Sequence, residues 1–416
     1  MRASPGDPLI RRLLPLYLVI FVAFCGYSLM VTLFVPMLMN DNGFVPRGTG
    51  IGQRTTLIGI LLAIYPLGQL VGSPVIGALS DRYGRKPVLV VSLLISIGAY
   101  ALLSLGIGLR VLLVIGAACL IGGLAESNIA IVQSAVADVT PPEDRPRLFG
   151  WIYSACSVGY IAGPIGGGQL ARLFGWSTPF WLATGLLAAT LGWVALEFRE
   201  THPGEPTRRL DYLAAMGNLL TVFTDRPIRR LYLVNFLFYL ALFGYFRVIL
   251  IYMADVLHMR VGQSTASYSL LAAMSLFASF VLVAPLTRRF GLKRLAVGSA
   301  VLSGVAMIAV VLRASDSWFW ITAGPACLIS TLTLSACAAI LSNAVAAERE
   351  GRVMGNNQAL QVGAEALGAL VGGVLAAAMT ALPLAAFGAV LIATGLLLAR
   401  TRAPGVAATA AATAQA

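Results

Sequence analysis

Twelve apolar segments, each about as long as a membrane-crossing helix, dominate this sequence of 416 residues. The hydrocarbon core of a bilayer takes about 20 residues of α-helix to cross, and in lipid the backbone must satisfy its own hydrogen bonds. We therefore predict twelve transmembrane helices. The predicted spans are residues 13–38, 55–79, 87–107, 111–137, 148–171, 177–196, 230–254, 264–286, 294–313, 318–343, 355–378 and 381–399.

The composition agrees with a membrane protein. Hydrophobic residues make up 58% of the chain and charged residues 11%, whereas a soluble domain carries about 25% charged residues. The five cysteines lie in apolar segments without CxxC or Cys/His spacing, and the chain has two histidines. Neither a disulfide framework nor a metal site is predicted.

Basic residues are unevenly distributed between the two sets of predicted loops. If the N-terminus is cytoplasmic, inner segments hold 22 of the Lys and Arg residues and outer segments hold six, with Arg247 left inside a span. Inner loops of membrane proteins are enriched in Lys and Arg. This bias predicts a multi-pass protein of the cell (inner or plasma) membrane with both termini cytoplasmic. It also explains the net charge of +12 without a nucleic-acid partner.

The two halves of the chain resemble each other. Residues 137–150 align with 342–355 at an offset of 205, and "DRYGRK" (81–86) aligns with "RRFGLK" (288–293) at an offset of 207. Duplicated halves are typical of secondary transporters. The predicted domains are an N-terminal six-helix bundle (1–196), a cytoplasmic central loop (197–229), a C-terminal six-helix bundle (230–402) and a disordered tail (403–416).

Two motifs resemble signatures of the major facilitator superfamily. "GALSDRYGRKP" (77–87) is similar to the signature between helices 2 and 3 of that family. The pattern G-x8-G-x3-GP-x2-GG, from Gly150 to Gly168, resembles the helix-5 antiporter motif of proton-coupled drug exporters, most of all the tetracycline-exporter branch. The resemblance covers nearly the whole chain. It implies an all-α membrane protein with 12 transmembrane helices in two pseudo-symmetric six-helix bundles, working by alternating access.

The resemblance also implies two sets of gating residues. The cluster around Asp81 would latch the two bundles, and Arg85 is expected to reach Asp138 at the inner end of span 4; the alternative is a generic basic inner loop. The glycines of span 5 would form a sliding surface or simply pack against a neighbouring helix. The candidate gating residues are Gly77, Asp81, Arg82, Gly84, Arg85, Lys86, Asp138, Gly159, Gly163, Pro164, Gly167 and Gly168.

The sequence departs from the exporter pattern in two helices. Those exporters usually carry an arginine in helix 4, where Cys119 stands here, and helix 1 has no acidic residue. The usual proton relay therefore cannot be transferred to this chain.

Three charged residues are predicted to lie inside the membrane: Glu126, Arg247 and Glu365. Burying an ionised group there costs at least about 2.5 kcal/mol, so each is a candidate functional residue. We expect Glu126 to bind substrate or the coupling proton, with Gln133 seven residues on and on the same helical face. Arg247 would be the partner of Glu126 or bind an anionic substrate group. Glu365 would be a second proton site or make an inter-helix hydrogen bond. For Glu126 and Arg247 the alternative is a structural ion pair or hydrogen bond.

An aromatic and methionine stripe follows one face of span 1. Tyr27 and Phe34, with Met30 and Met37, would line an adaptable substrate pocket or pack inside the bundle.

These observations predict a secondary active transporter. The favoured function is proton-coupled efflux (antiport) of a small amphipathic molecule or drug by a monomer in the lipid bilayer, driven by the proton gradient without a cofactor. A proton-coupled importer of a metabolite or siderophore and a non-transporting membrane receptor are the alternatives. An enzyme is not expected, because the sequence has no nucleophile–base pair, phosphate-binding loop or HExxH motif.

Overall fold

The structure, a computed structural model, describes most of the chain: residues 8–40, 43–126, 128–140, 144–204, 222, 224–225, 228–345 and 347–401. The predicted tail (403–416) lies outside the described residues, and so does most of the predicted central loop (197–229).

The described part of the chain is helical and contains no β-strand. A π-helical turn (Ala278–Leu282) joins α9 to α10, and a 3₁₀ turn (Val310–Leu312) follows α11. In chain order the α-helices are α1 (Pro8–Met39), α2 (Ile51–Tyr83), α3 (Arg85–Leu109), α4 (Leu112–Ala125), α5 (Asn128–Val139), α6 (Arg145–Phe174), α7 (Thr178–Glu197), α8 (Arg229–Asp255), α9 (Val261–Phe277), α10 (Val283–Phe290), α11 (Leu292–Ala309), α12 (Asp316–Ser342), α13 (Ala347–Ala378) and α14 (Leu382–Arg400).

Twelve stretches in the described residues are long and apolar enough to cross a membrane. Each coincides with a predicted span to within a few residues at its ends. The agreement confirms the all-α, twelve-span fold class, because length and hydrophobicity alone determine which segments can be buried in lipid.

The fourth span is not the continuous helix that the sequence predicts. It is broken between α4 and α5, and Glu126 has φ −85° and ψ 55°, outside the helical region. Three polar residues, 126–128, interrupt the apolar pattern at the break, but the whole stretch keeps the length and hydropathy of one membrane span.

The chain forms two compact units, each drawn from separated segments. Unit 1 comprises residues 1–47, 64–215 and 261–269. Unit 2 comprises residues 48–63, 216–260 and 270–416. The division into two six-helix bundles at the central loop stays a prediction.

Glycines allow close helix packing within unit 1. A Cβ on Gly68 would approach the carbonyl oxygen of Leu120 to 2.7 Å, and one on Gly72 or Gly123 would overlap the backbone of the facing helix. Helices α2 and α4 therefore pack backbone to backbone, as small residues permit in membranes.

The internal repeat is visible in the backbone. Gly84 and Gly291, which the offset of 207 aligns, both have positive φ (98° and 76°) and both directly precede a helix. Lys86 and Lys293, which the same offset aligns, also make equivalent hydrogen bonds. Lys86 donates to the carbonyl oxygen of Ala195 near the end of α7, and Lys293 donates to that of Ala399 near the end of α14. Cations are favoured at helix C-termini.

Candidate functional site

Glu126 lies at the break between α4 and α5 and is 4% exposed. One of its carboxylate oxygens accepts a hydrogen bond from the hydroxyl of Tyr65 on α2. The other oxygen, Oε1, has no hydrogen-bond partner among the described residues. This carboxyl group is therefore buried with one of its two oxygens hydrogen-bonded among the described residues.

Side chains from two neighbouring helices satisfy the carbonyl groups that the break releases. The amide of Gln69 on α2 donates to the carbonyl oxygen of Glu126 at 3.2 Å. The hydroxyl of Ser92 on α3 donates to the carbonyl oxygen of Ala125 at 2.6 Å and lies 2.7 Å from the Asn128 side-chain oxygen. Unpaired carbonyls are costly in lipid, so these contacts make the break a stable part of the fold.

Aromatic rings surround the hydroxyl that binds Glu126. The ring of Tyr27 stacks on that of Tyr65 with centroids 4.7 Å apart, and it meets Tyr160 edge-on at 6.2 Å. Phe34 lies instead against Phe180 of α7, with centroids 6.3 Å apart. The structure thus brings Tyr27 to the candidate site, whereas Phe34 packs elsewhere in unit 1.

Gln133 does not share the environment of Glu126. Its side-chain amide donates to the hydroxyl of Tyr153 on α6 at 3.2 Å. A spacing of seven residues places two side chains on one face only if the helix is continuous, and here the helix is broken after Ala125. The expectation that Glu126 and Gln133 lie on one face is corrected.

Arg247 on α8 forms its ion pair with Glu365 on α13, in place of the expected pairing with Glu126. Both side chains are less than one-tenth exposed. Eight residues earlier on each helix, the Asn357 amide donates to the Tyr239 hydroxyl at 2.7 Å. The two parallel contacts form a polar seam within unit 2. The Glu365 carboxylate therefore meets a neighbouring helix, one of the two roles expected for it.

The charged motif of residues 77–87 folds into a compact group, the Arg85 cluster (Ser80, Asp81, Arg85 and Asp138). The Arg85 guanidinium contacts Asp81 at 2.6 Å, Asp138 at 3.1 Å and the Ser80 hydroxyl at 2.5 Å. The expected contact between Arg85 and Asp138 is present. Together, the contacts of Arg85 with Asp81 and Asp138 connect α2, α3 and α5 at one end of unit 1.

Glu200, just after α7, adds a contact to this end of the unit that sequence reasoning missed. Its carboxylate accepts hydrogen bonds from the backbone N–H groups of Arg85 (2.9 Å) and Lys86 (3.0 Å) at the start of α3. A Cβ on Gly84 would come within 2.6 Å of the same carboxylate. A glycine next to a helix start was the available signal for this anion site.

The glycines of span 5 face α1 and α9. A Cβ on Gly159 would come within 2.7 Å of the Phe21 carbonyl oxygen, and one on Gly163 would overlap Ser28. Gly168 is packed in the same way against Thr265. The packing interpretation of this motif is thus visible in unit 1, and the gating role stays a prediction.

Residues 16–329 match the family described as the Major Facilitator Superfamily. The chain is 31% identical over 312 residues to the class C tetracycline resistance protein of Escherichia coli, covering 73% of this chain and 75% of that protein. It is 30% identical over 316 residues to the class G tetracycline resistance protein of Vibrio anguillarum, covering 71% and 75%. The structure of the human organic anion transporter MFSD10 matches 94% of this chain and 100% of its own, with a TM-score of 0.71 and 20% identity. At that identity the likeness is one of fold.

Proposed function

Because this chain belongs to the major facilitator superfamily, we propose that it exports a small amphipathic molecule or drug in exchange for protons, with Glu126 as the proton carrier. Two relatives that match about three quarters of their own length are tetracycline resistance proteins, which supports export. The proton gradient supplies the energy, and no cofactor is needed.

The buried carboxyl of Glu126 is the observation that carries the proposal. The first six predicted spans contain no other Asp, Glu, Lys, Arg or His. An ionised carboxylate at this depth costs at least about 2.5 kcal/mol without a counter-charge, whereas the protonated group carries no charge. Loading and unloading a proton therefore changes the free energy of any conformation that buries Glu126, which is the requirement for coupling.

The break in span 4 leaves Glu126 free of the helical backbone constraints when it gains or loses a proton. Its backbone lies outside the helix, and its free oxygen has no partner among the described residues. Proton transfer can then reorganise the contacts with Tyr65 and Gln69 without breaking a helical turn. Discontinuous helices occupy the coupling sites of many transporters for this reason.

The second buried acid, Glu365, is less suited to carry the proton. Its charge is already neutralised by Arg247, and removing one member of a buried ion pair leaves the other charge uncompensated. We therefore assign the coupling proton to Glu126 and a structural role to the Arg247–Glu365 pair.

The Arg85 cluster and the span-5 glycines complete the proposal as gating elements. The ion pairs of Arg85 hold three helices of unit 1, and a change of state would exchange these contacts at a cost of a few kcal/mol. The protein works as a monomer in the cell (inner or plasma) membrane, with both termini cytoplasmic. It needs the lipid bilayer and no nucleic acid.

The test is transport by the Glu126→Gln variant in proteoliposomes with an imposed pH gradient. Tetracycline is the first probe, because the relatives named above are tetracycline resistance proteins. Glutamine keeps the shape and the acceptor for Tyr65 but cannot exchange a proton. Transport driven by the gradient should fall to the level of protein-free liposomes, while exchange of tetracycline at equal pH persists.

Gln133→Ala is the matched control, because Gln133 lies in the same span but contacts Tyr153. It should retain gradient-driven transport. Full coupled transport by Glu126→Gln would remove Glu126 as the carrier. Probe movement in the same direction as protons would favour the importer, and no movement in any variant would favour a receptor.

A further inference from the structure

The interface between α3 and the break in span 4 contains three buried polar atoms that have no hydrogen-bond partner among the described residues. They are the hydroxyl oxygen of Ser96, the amide nitrogen of Asn128 and the carboxylate oxygen Oε1 of Glu126. All three residues are at most 4% exposed. A polar atom buried in this way is costly unless a hydrogen-bond partner compensates it.

The packing of α3 against α4 places Ser96 at the level of the break. A Cβ on Gly122 of α4 would contact the Cβ of Ala99 on α3 at 3.6 Å. The Ser92 hydroxyl, nearly two turns earlier on α3, donates to the carbonyl oxygen of Ala125, where α4 ends. The two helices are therefore antiparallel here. Because Ser92, Ser96 and Ala99 share one helical face, the side chain of Ser96 points toward the end of α4.

The start of α5 is held at the same place. The Ser92 hydroxyl oxygen lies 2.7 Å from the side-chain oxygen of Asn128, the first residue of α5. The amide nitrogen of Asn128 is left with hydrogens to donate and no acceptor in the part of the chain that the structure describes. Glu126, two residues earlier, has the opposite need, because an ionised carboxylate can only accept. The break thus has an unpaired donor and an unpaired acceptor on neighbouring residues.

A guest that satisfies these three groups must both donate and accept hydrogen bonds. A bare cation cannot accept from the amide of Asn128, and an anion is repelled by the carboxylate of Glu126. Water does both, and a buried water typically makes about three hydrogen bonds to polar groups that are otherwise unsatisfied. We propose that internal water occupies this interface, held by Asn128 and Ser96, and hydrogen-bonds to Oε1 of Glu126.

This water gives Glu126 a second proton contact. The Tyr65 hydroxyl on α2 binds one carboxylate oxygen, and the water binds the other from the side of α3. By turning, a water donates to the ionised carboxylate and accepts from the protonated one, so it serves both protonation states. The presence of the water follows from the unpaired groups, whereas its part in proton exchange rests on the proposed function of Glu126.

The hydroxyl of Tyr100 is not assigned to this water. It also makes no hydrogen bond among the described residues, but it lies against Gly26 of α1. The proposal therefore concerns α3, the break and the start of α5.

Infrared difference spectroscopy of the purified full chain in lipid membranes tests for the water. Spectra recorded at acid and alkaline pH give the carboxyl band of Glu126, which is the band that Glu126→Gln removes. The same difference spectrum should contain an O–H stretching band that shifts when the solvent is water enriched in the heavy oxygen isotope. The difference spectrum of Glu126→Gln should lack this water band.

Variants of the two holding residues locate the water. Ser96→Ala and Asn128→Leu should each weaken or abolish the water band. They should also move the carbonyl stretch of protonated Glu126 to higher frequency, because the carboxyl group loses a hydrogen bond. Ser104→Ala is the matched control: Ser104 is also buried on α3, but its hydroxyl donates to the carbonyl oxygen of Tyr100 at 2.8 Å. It should leave both bands unchanged.

The thermal stability of Ser96→Ala gives a second test, which does not depend on the titration of Glu126. A buried hydroxyl without any partner destabilises the fold, so replacing it with alanine would raise Tm. A hydroxyl that binds internal water contributes a hydrogen bond, so Ser96→Ala should instead lower Tm, by about 2 °C.

Three results would overturn the proposal. The first is a difference spectrum without a band that responds to the oxygen isotope, and the second is a higher Tm for Ser96→Ala. The third is a rise in Tm with sodium chloride over choline chloride that Ser96→Ala removes, which would assign the site to a sodium ion. None of these measurements involves transport, so their outcome and that of the transport test of Glu126 can be told apart.

Discussion

At the scale of single residues, the contact between Tyr65 and Glu126 is the most informative. The Tyr65 hydroxyl is the one hydrogen-bond donor to the Glu126 carboxylate among the described residues, and Tyr65 is 4% exposed. A hydrogen bond to a charged group contributes about 1.5–3 kcal/mol, and a donor acts on the ionised form of the carboxyl far more than on the neutral form. Tyr65 therefore influences the balance between the two protonation states.

Tyr65→Phe should slow gradient-driven transport about tenfold or more, because a loss of about 1.4 kcal/mol corresponds to a factor of ten. Initial rates in proteoliposomes at several pH values measure the effect. Tyr100→Phe is the control: Tyr100 is also buried, and its hydroxyl makes no hydrogen bond among the described residues. That variant should transport normally. Equal rates for wild type and Tyr65→Phe would show that the hydroxyl plays no part in coupling.

The ion pair between Arg247 and Glu365 could not be predicted from the sequence. The three membrane charges are evident from the sequence, because each interrupts an apolar segment. Which of them meet depends on which helices are neighbours, and a spacing of 118 residues between Arg247 and Glu365 carries no such information. The same limit concealed Glu200, whose partners lie 114 and 115 residues away.

At the scale of helices, hydrophobic length predicted every span, whereas the break in span 4 was not predicted. The break depends on Gln69 and Ser92, side chains from two other helices that bind the released carbonyl groups. Gly122 and Gly123 lie in the last turn of α4, but the continuous helix α6 also contains several glycines, so glycine alone does not predict the break. A break that is stabilised from outside its own helix cannot be predicted from the helix's own sequence.

The span-5 glycines allow a prediction about helix packing. A Cβ on Gly163 would overlap Ser28 of α1, whereas one on Gly166 would meet nothing within 4 Å. Gly163→Ala should therefore destabilise the protein by about 1–3 kcal/mol through overpacking. Gly166→Ala should be neutral or slightly stabilising, because alanine favours the helix. Thermal unfolding in detergent compares the two. Equal Tm values would mean that α1 and α6 adjust without cost and that the glycine face is not a packing requirement.

At the scale of the whole molecule, the internal repeat can be recognised in the sequence because both halves keep glycines at equivalent backbone positions as well as similar side chains. Gly84 and Gly291 align by sequence, and both have positive φ at a helix start. The two halves differ in their buried charges: Glu126 of unit 1 has no ion-pair partner among the described residues, whereas unit 2 holds the Arg247–Glu365 ion pair. In the proposed mechanism, unit 1 would respond to protons through Glu126, while the charges of unit 2 stay balanced within their ion pair.

The orientation of the molecule in the membrane gives the last prediction. The 22-to-6 distribution of Lys and Arg predicts that Arg289 lies inside and Arg313 outside, and both side chains are exposed. Four native cysteines are buried and Cys25 is partly buried within α1, so a membrane-impermeant maleimide should label them weakly. In intact cells the reagent should label Arg313→Cys and leave Arg289→Cys unlabelled, and permeabilised cells should show both. The opposite pattern would place the termini and the Arg85 cluster on the outer side of the membrane. Because these loops are short, the positive-inside rule should apply at full strength, and the asymmetry is large enough that one misplaced arginine would not reverse it.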